Sequence, residues 1–242
     1  MSRPRVVLVP GFTQTASSWS GVADVVRASC EVVAVDMPEP RSFASAARTI
    51  GSAGSRAIYV GYSMGGRLCL RLAVDRPDLV RGLVLVSASP GIADASARAA
   101  RVEADEVWAR RVEHDGIDAF LERWLAQPMF AGVGADAPGV ADRRRLRPAF
   151  VAACLRRLGA GAMEPMWNEL AGLAMPVLLV TGRGDAKFTD TAREMLERLP
   201  AGTRHVELDG GHALPLEQPV ALGHAIARFA SDIGGAHTAN PA

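Results

Sequence analysis

Short apolar runs alternate with longer stretches of helical apolar spacing along the first part of the chain. The short runs are rich in β-branched residues and nearly continuous, which is typical of strands buried on both faces of a parallel sheet. These strands are predicted at residues 5–9, 31–35, 56–60 and 83–86. The intervening helices are predicted at residues 19–28, 43–51 and 64–74. This alternation indicates βαβ units.

The same pattern returns towards the C-terminus. Strands are predicted at 177–181 and 205–208, and helices at 190–199 and 220–230. The tail from Ser231 onwards is rich in small residues and is expected to be frayed.

The stretch between these two parts has a different pattern. Residues 91–173 contain no convincing strand, are rich in Ala, Arg, Glu and Leu, and include the turn-prone sequence AGVGADAPG. We therefore expect one α/β core domain, formed by residues 1–90 and 174–242, with residues 91–173 inserted as a helical cap.

Composition excludes several classes of protein. The chain has 242 residues, 49% of them hydrophobic, which is enough for a substantial core, and its net charge of +1 predicts neither a nucleic-acid nor a membrane partner. Cys30, Cys69 and Cys154 are widely spaced and odd in number, so neither a disulfide framework nor a metal site is expected. The apolar run before Pro10 is too short for a signal peptide, and we expect a cytoplasmic protein of unspecified oligomeric state.

Residues Gly61 to Gly65 read GYSMG and match the G-x-S-x-G pattern of a nucleophile elbow. A predicted strand enters the pattern and a predicted helix leaves it, which is the context that such an elbow requires. Glycines let the strand and helix approach closely enough to project the hydroxyl of Ser63 outward. Ser63 is therefore the candidate nucleophile or base.

A serine hydroxyl needs a histidine to take its proton and an acid to orient that histidine. Asp185 and His212 each follow a predicted strand, and the order Ser, Asp, His is that of α/β-hydrolases. Asp209 is the main rival to Asp185, with Asp36 and Asp190 as weaker ones. The remaining histidines are predicted to be structural or solvated, and they are His114, His205, His224 and His237.

Negative charge that develops on a substrate oxygen needs hydrogen-bond donors. In the expected geometry these are backbone N–H groups of the residue after the serine and of the loop after the first strand, here Met64 and Phe12. The loop PGFTQTASSW is thus the candidate oxyanion loop.

The motifs VPGFTQTASSW, GYSMGGR, TGRGDAKF and GHALPLEQP together resemble the α/β-hydrolase superfamily over nearly the whole chain. The resemblance implies an α/β-hydrolase fold, with a mostly parallel sheet, helices on both faces and an inserted helical cap. It does not decide the reaction, because this fold hosts many chemistries.

A narrower resemblance rests on GYSMGGR, FLERWLAQPMF, LRRLGAGAMEPMWNEL and GDAKF, which are similar to the 2-succinyl-6-hydroxy-2,4-cyclohexadiene-1-carboxylate synthases of menaquinone biosynthesis. It implies a lyase that takes a proton from a small anionic carboxylate substrate and expels pyruvate without a cofactor. The alternatives are a carboxylic-ester or lactone hydrolase using the same triad, and a non-catalytic receptor.

The narrower resemblance also implies substrate-binding residues, namely Arg67, Tyr62, Arg111 and Trp124. Arginine suits a carboxylate substrate because its guanidinium donates two parallel hydrogen bonds. A further cap arginine is expected at 142–148, with the choice open among Arg143, Arg144, Arg145 and Arg147. The chain departs from the family at Pro10-Gly11, where His-Gly is usual, and lacks an asparagine-rich segment near residues 147–150.

Overall fold

The computed structural model describes residues 3–134, 137 and 139–236. Its centre is a six-stranded sheet in the order β2-β1-β3-β4-β5-β6, in which every pair of neighbours is parallel. The strands are β1 (Arg5–Val9), β2 (Glu31–Ala34), β3 (Ala57–Tyr62), β4 (Val80–Val86), β5 (Val177–Gly182) and β6 (Arg204–Leu208). The predicted fold class is confirmed.

Helices cover both faces of this sheet. They are α1 (Ser20–Val26), α2 (Phe43–Gly54), α3 (Met64–Asp75), α4 (Ala95–Leu125), α5 (Pro148–Leu158), α6 (Ala186–Leu196), α7 (Leu214–Glu217) and α8 (Pro219–Ala236). Successive residues of a strand point to opposite faces, so Val7 and Val9 of β1 pack in one core with α2, α3 and α6, whereas Val6 and Leu8 pack in another with α1 and α8. This explains why the central strands β3, β4 and β5 are almost wholly apolar, whereas the edge strand β6 carries Arg204, His205 and Glu207.

The stretch between β4 and β5 contains helices and no strand among its described residues. Helices α4 and α5 pack together around a small core of their own that includes Val112, Phe120 and Val151. Gly116, with φ 81°, interrupts α4 and lets the chain turn between two helical parts. The division into a core domain and a cap domain stays a prediction.

Several helix boundaries differ from the predicted ones by one to six residues, and the largest differences, at the start of α6 and the end of α8, accompany tertiary contacts. Helix α6 begins at Ala186 rather than at Asp190, and its first turn carries Phe188, whose ring centroid lies 4.6 Å from that of His212. Helix α8 continues through Ser231 to Ala236, where a fray was predicted, because Ile233 packs on β4.

The close approach of α8 to β4 depends on Gly82, since a Cβ there would lie 2.4 Å from Ile233 Cδ1. His237 lies outside the described residues. Within the described ranges, no helix is both long enough and apolar enough to span a bilayer.

Candidate active site

Ser63 lies in the sharp turn between β3 and α3. Its backbone has φ 51°, a conformation that is strained for a residue with a side chain, and its N–H donates to Val86 O at 2.9 Å. A Cβ on Gly61 would lie 2.5 Å from Gly65 O, and one on Gly65 would lie 2.4 Å from Pro10 O. The two glycines are therefore required for the close packing that holds this turn.

Three side chains from separate loops form one chain of hydrogen bonds. His212 Nε2 lies 3.3 Å from Ser63 Oγ, and His212 Nδ1 lies 2.7 Å from Asp185 Oδ2. An ionised carboxylate only accepts, so Nδ1 carries the proton and Nε2 is left to accept the Ser63 hydroxyl proton. The predicted trio is thus brought together in the arrangement that proton transfer from Ser63 needs.

The rival residues do not contact His212. Asp209 pairs with Arg183, Asp36 accepts from the Ala16 N–H, and Asp190 accepts from Arg193. Among the other described histidines, His205 bonds Thr181, His114 bonds Asp115 and His224 is exposed.

Sequence reasoning missed the residue that holds the His212 loop in place. The Glu217 carboxylate accepts from the Gly211 N–H at 2.5 Å and from the Ala213 N–H at 2.8 Å, so it grips the backbone on both sides of the histidine. The signal was present in GHALPLEQP, where an acid one turn after the loop can reach back to free N–H groups.

Phe12 and Met64 lie where the oxyanion donors were predicted. Met64 is the first residue of α3, so its N–H has no acceptor within the helix. Phe12 lies in a turn after β1, and its side chain lines a cavity. In the described part of the chain, neither N–H has a backbone or side-chain acceptor. Their role as oxyanion donors stays a prediction.

Ser63 and His212 open into a cavity of about 480 Å³ between the sheet and the 91–173 segment. Its walls combine aromatic and cationic side chains. The aromatic residues are Phe12, Tyr62, Trp108, Trp124, Phe130, Trp167 and Phe188, and the cationic ones are Arg67, Arg101, Arg143 and Lys187.

Arg67 lies one helical turn beyond Ser63 and is buried. Its guanidinium donates to Leu158 O at 2.9 Å and lies 3.4 Å from Met163 Sδ. Burial, with a smaller effect from Arg101, lowers the pKa of Arg67 to about 10, so it remains charged at neutral pH. The predicted carboxylate-binding residue thus lines the cavity.

Arg143 is the arginine of the 142–148 stretch that reaches the cavity. It is 1% exposed and donates to Thr13 Oγ1 at 3.3 Å, while its Nε and second terminal nitrogen are buried with no partner among the described residues. Burial lowers its pKa. The other three candidates form ion pairs on the surface, Arg144 with Asp118, Arg145 with Asp142 and Arg147 with Glu39.

Arg111 does not line the cavity. It is exposed, and its guanidinium lies 5.2 Å from the Trp108 ring centroid. The cavity-lining cation from α4 is Arg101, which sequence reasoning missed. The signal was its helical spacing from Asp105 and Trp108, which places all three on one face of α4.

Asp105 is a carboxylate in this cationic cavity. It is 4% exposed, its Oδ1 accepts from Arg101 Nε at 2.9 Å, and its Oδ2 is buried without a partner in the described ranges. Burial raises its pKa, against the opposing effects of Arg101 and Arg67. Elsewhere too, the described residues contain no group of three or more His, Cys, Asp or Glu side chains that could hold a metal ion.

Tyr62 and Trp124 both line the cavity and pack within its walls. Tyr62 is 2% exposed with its ring centroid 5.3 Å from that of His212, and burial raises the pKa of its hydroxyl. Trp124 stacks on Phe120 and meets Phe12 edge to face, and its buried Nε1–H has no acceptor among the described residues.

Several proteins are similar to this chain. A relative from Salmonella newport (strain SL254), named 2-succinyl-6-hydroxy-2,4-cyclohexadiene-1-carboxylate synthase, is 28% identical over 93% of this chain and 93% of its own length. A Bacillus subtilis (strain 168) protein, to which the same synthase name is given provisionally, is 31% identical over 72% of this chain. That match spans 65% of the Bacillus protein, slightly less than two thirds of its length.

The solved structure of MenH from S. aureus has a TM-score of 0.87 with this chain, at 23% identity, and the match covers 97% of this chain and 96% of that one. This likeness shows a shared fold. The model of the alpha/beta hydrolase family matches residues 6–225, which include β1, the Ser63 turn and the His212 loop. The chain therefore belongs to the alpha/beta hydrolase family.

Proposed function

We propose that this protein is a lyase of the 2-succinyl-6-hydroxy-2,4-cyclohexadiene-1-carboxylate synthase type, which eliminates pyruvate from a cyclohexene carboxylate in menaquinone biosynthesis. Relatives that carry this synthase name support the proposal. The observation that carries it is the cluster of Arg67, Arg101 and Arg143 in the cavity beside Ser63. Three cations suit a substrate with several carboxylates and are not required by a neutral ester.

In the proposed step, Ser63 Oγ gives its proton to His212 Nε2 and takes a proton from a ring carbon of the substrate. The electron pair of that C–H bond forms a ring double bond, and the C–O bond to the enolpyruvyl group breaks. The leaving oxygen keeps the bonding pair as the enolate of pyruvate, which recovers the proton from His212 at carbon. Neither water nor an electron acceptor is consumed.

Asp185 has the role of stabilising the cationic His212 that forms during this transfer. Its carboxylate is 2.7 Å from Nδ1, and its side chain is only 10% exposed, so water screens the attraction little. The N–H groups of Phe12 and Met64 are proposed to bind the leaving enolpyruvyl oxygen, which gains negative charge as its C–O bond breaks.

The arginines have different proposed roles. Among the described residues, two guanidinium nitrogens of Arg143 have no partner, and we propose that a substrate carboxylate binds them through two parallel hydrogen bonds. Arg101 is held by Asp105 and is more exposed, which suits a contact near the cavity mouth. Arg67 is the cation linked most directly to the Ser63 turn, through α3.

The decisive experiment supplies the cyclohexene precursor and follows pyruvate release with a coupled dehydrogenase, beside a p-nitrophenyl ester. We expect pyruvate release by the wild type and at least about a 10³-fold loss in Ser63→Ala. Turnover of the ester alone would instead support the hydrolase alternative, in which Ser63 forms an acyl-enzyme.

Two matched arginine substitutions test whether the cavity charge binds the substrate. Arg143→Gln removes a buried cavity cation that has no ion pair among the described residues, whereas Arg144→Gln removes a neighbouring cation that pairs with Asp118 at the surface. We expect kcat/KM for the precursor to fall about 100-fold in the first variant and to stay near wild type in the second. Equal losses in the two variants would contradict the proposed carboxylate site.

A further inference from the structure

The turn that carries Phe12 has an unusual backbone. Residues Gly11 to Gln14 form a β-turn closed by the Gln14 N–H donating to Gly11 O at 3.1 Å. Its third residue, Thr13, has φ 64°. A β-branched residue rarely adopts this conformation, which is strained unless surrounding contacts enforce it. The turn therefore needs external support to keep Phe12 in place.

The Gln14 side chain supplies part of that support. Its Oε1 accepts from the Gly11 N–H at 3.2 Å, so the backbone and the side chain of one residue both bond the first residue of the turn. Gln14 is 3% exposed. Solvent therefore competes little for this hydrogen bond, and its loss would leave a buried backbone donor without a partner.

The other end of the carboxamide faces a different environment. Because a backbone N–H can only donate, the oxygen must face Gly11, and this places the –NH₂ group on the far side. No described residue accepts a hydrogen bond from it, and Gln14 lines the cavity that Ser63 opens into. The amide nitrogen is thus a donor available to a bound substrate.

A second contact joins the turn to the opposite wall of the cavity. Arg143 donates to Thr13 Oγ1, the side chain of the residue with the unusual φ. Gln14 thus acts from within the turn, while Arg143 acts from the 91–173 segment. The turn lacks support from residue 10, because Pro10 has no side-chain hydrogen-bonding group.

We propose that Gln14 is a positioning residue that holds the Gly11–Gln14 turn, and with it the Phe12 N–H, in the geometry needed to stabilise the transition state, while its –NH₂ group donates to the anionic substrate. The inference rests on the proposed elimination reaction at Ser63. The Gln14 oxygen should therefore affect kcat, because it holds the turn. The Gln14 nitrogen should affect KM, because it donates to the substrate.

Two substitutions separate these effects. Gln14→Met keeps the approximate length of the side chain but removes both the acceptor and the donor, so we expect kcat for pyruvate release to fall at least about tenfold. Gln14→Glu keeps an acceptor for the Gly11 N–H but places a second oxygen where the –NH₂ group was. It should keep kcat within about threefold of wild type and raise KM for the anionic precursor about tenfold.

Hydrogen exchange of the Gly11 amide tests the clamp without using activity. We expect exchange to become at least about tenfold faster in Gln14→Met and to remain near wild type in Gln14→Glu. Gln127→Met is the control for this measurement, because Gln127 also lines the cavity but donates to Trp124 O rather than to the turn. Its Gly11 exchange should match that of the wild type.

The outcomes distinguish the two proposals. Wild-type kcat and wild-type Gly11 exchange in Gln14→Met would overturn the role of Gln14 and leave the lyase proposal intact. Absence of pyruvate release by the wild type would overturn the lyase proposal, while Gly11 exchange would still test the clamp. A fall in kcat of the same size in Gln14→Met and Gln14→Glu would contradict the assignment of the oxygen to kcat.

Discussion

The two walls of the cavity differ in how completely their polar groups are paired. On the sheet side, Ser63, His212 and Asp185 bond one another, and Glu217 holds the His212 loop. On the side of the 91–173 segment, polar atoms are buried without described partners, and they belong to Asp105, Trp124 and Arg143.

This difference separates chemistry from recognition. Groups that are already bonded need little reorganisation when a reaction occurs, which is the condition for electrostatic preorganisation. Buried groups without partners make the empty cavity less stable, and a ligand that pairs with them removes that penalty. We therefore expect proton transfer at the sheet wall and, through the donors of Trp124 and Arg143 rather than through Asp105, anion binding at the opposite wall.

The largest expected effect comes from removing the histidine at the centre of the sheet wall. His212→Ala removes the group that receives the Ser63 proton, so pyruvate release should fall at least about 10³-fold. The thermal midpoint serves as the control for folding. Full activity in a folded His212→Ala protein would exclude the proposed proton transfer.

The next prediction concerns the opposite wall, where one substitution should lower activity and raise thermal stability. Arg143→Met should lower kcat/KM for the anionic precursor about 100-fold and also raise the thermal midpoint, because it removes a buried cation that has no counter-ion among the described residues. Arg144→Met should change neither quantity appreciably. A lower midpoint in Arg143→Met would show that the bond to Thr13 outweighs the cost of burying the charge.

A smaller effect is expected from loosening the loop that carries His212. Glu217→Ala leaves the Gly211 and Ala213 N–H groups without their acceptor, so unfolding free energy should fall by about 1–3 kcal/mol. The loop loosens, and kcat should fall about tenfold with little change in KM. Glu194→Ala is the matched control, since Glu194 on α6 forms an exposed ion pair with Arg198, just beyond the end of the helix, and no other ion pair among the described residues.

The smallest effect concerns Asp105 and depends on pH. Burial raises the pKa of the Asp105 carboxyl above its value in the unfolded chain. The folded state therefore holds this proton more tightly, and it loses stability as the pH rises from the unfolded-state pKa to the folded-state pKa. Asp105→Asn should therefore raise the thermal midpoint by a few degrees at pH 7, and the gain should shrink as the pH falls and be lost by about pH 3, where the carboxyl is protonated in both states. Scans at the two pH values measure this. A gain independent of pH would point to packing instead.

The regular elements of the core were predictable because their signals are local. β1 has the predicted bounds, and the other strands begin or end within a few residues of theirs, since buried strands carry continuous apolar runs. The family resemblance is confirmed by the match over residues 6–225. The roles of Ser63, Asp185 and His212 stay predictions, although the structure brings the three side chains together.

The cation-lined wall was less predictable, for a physical reason. In a long arginine-rich helix, the sequence shows which faces exist but not which face another element will cover. Arg111 and Arg101 both lie on α4, and only Arg101 reaches the cavity. Among the arginines at 142–148, ion pairs with distant acids, such as Arg144 with Asp118, decided which ones remain at the surface.

The amino-acid sequence by itself determined the parallel α/β order, the strand–turn–helix around Ser63 and the placement of Asp185 and His212 after strands, because these follow from apolar periodicity and from the steric needs of glycine turns. Only the tertiary structure decided that Arg143 is buried with no counter-ion in the described part of the chain, that the Glu217 carboxylate bonds the backbone of the His212 loop and that Gln14 folds back on Gly11. Those features depend on distances between side chains, including contacts between elements far apart in the chain, which no local pattern encodes.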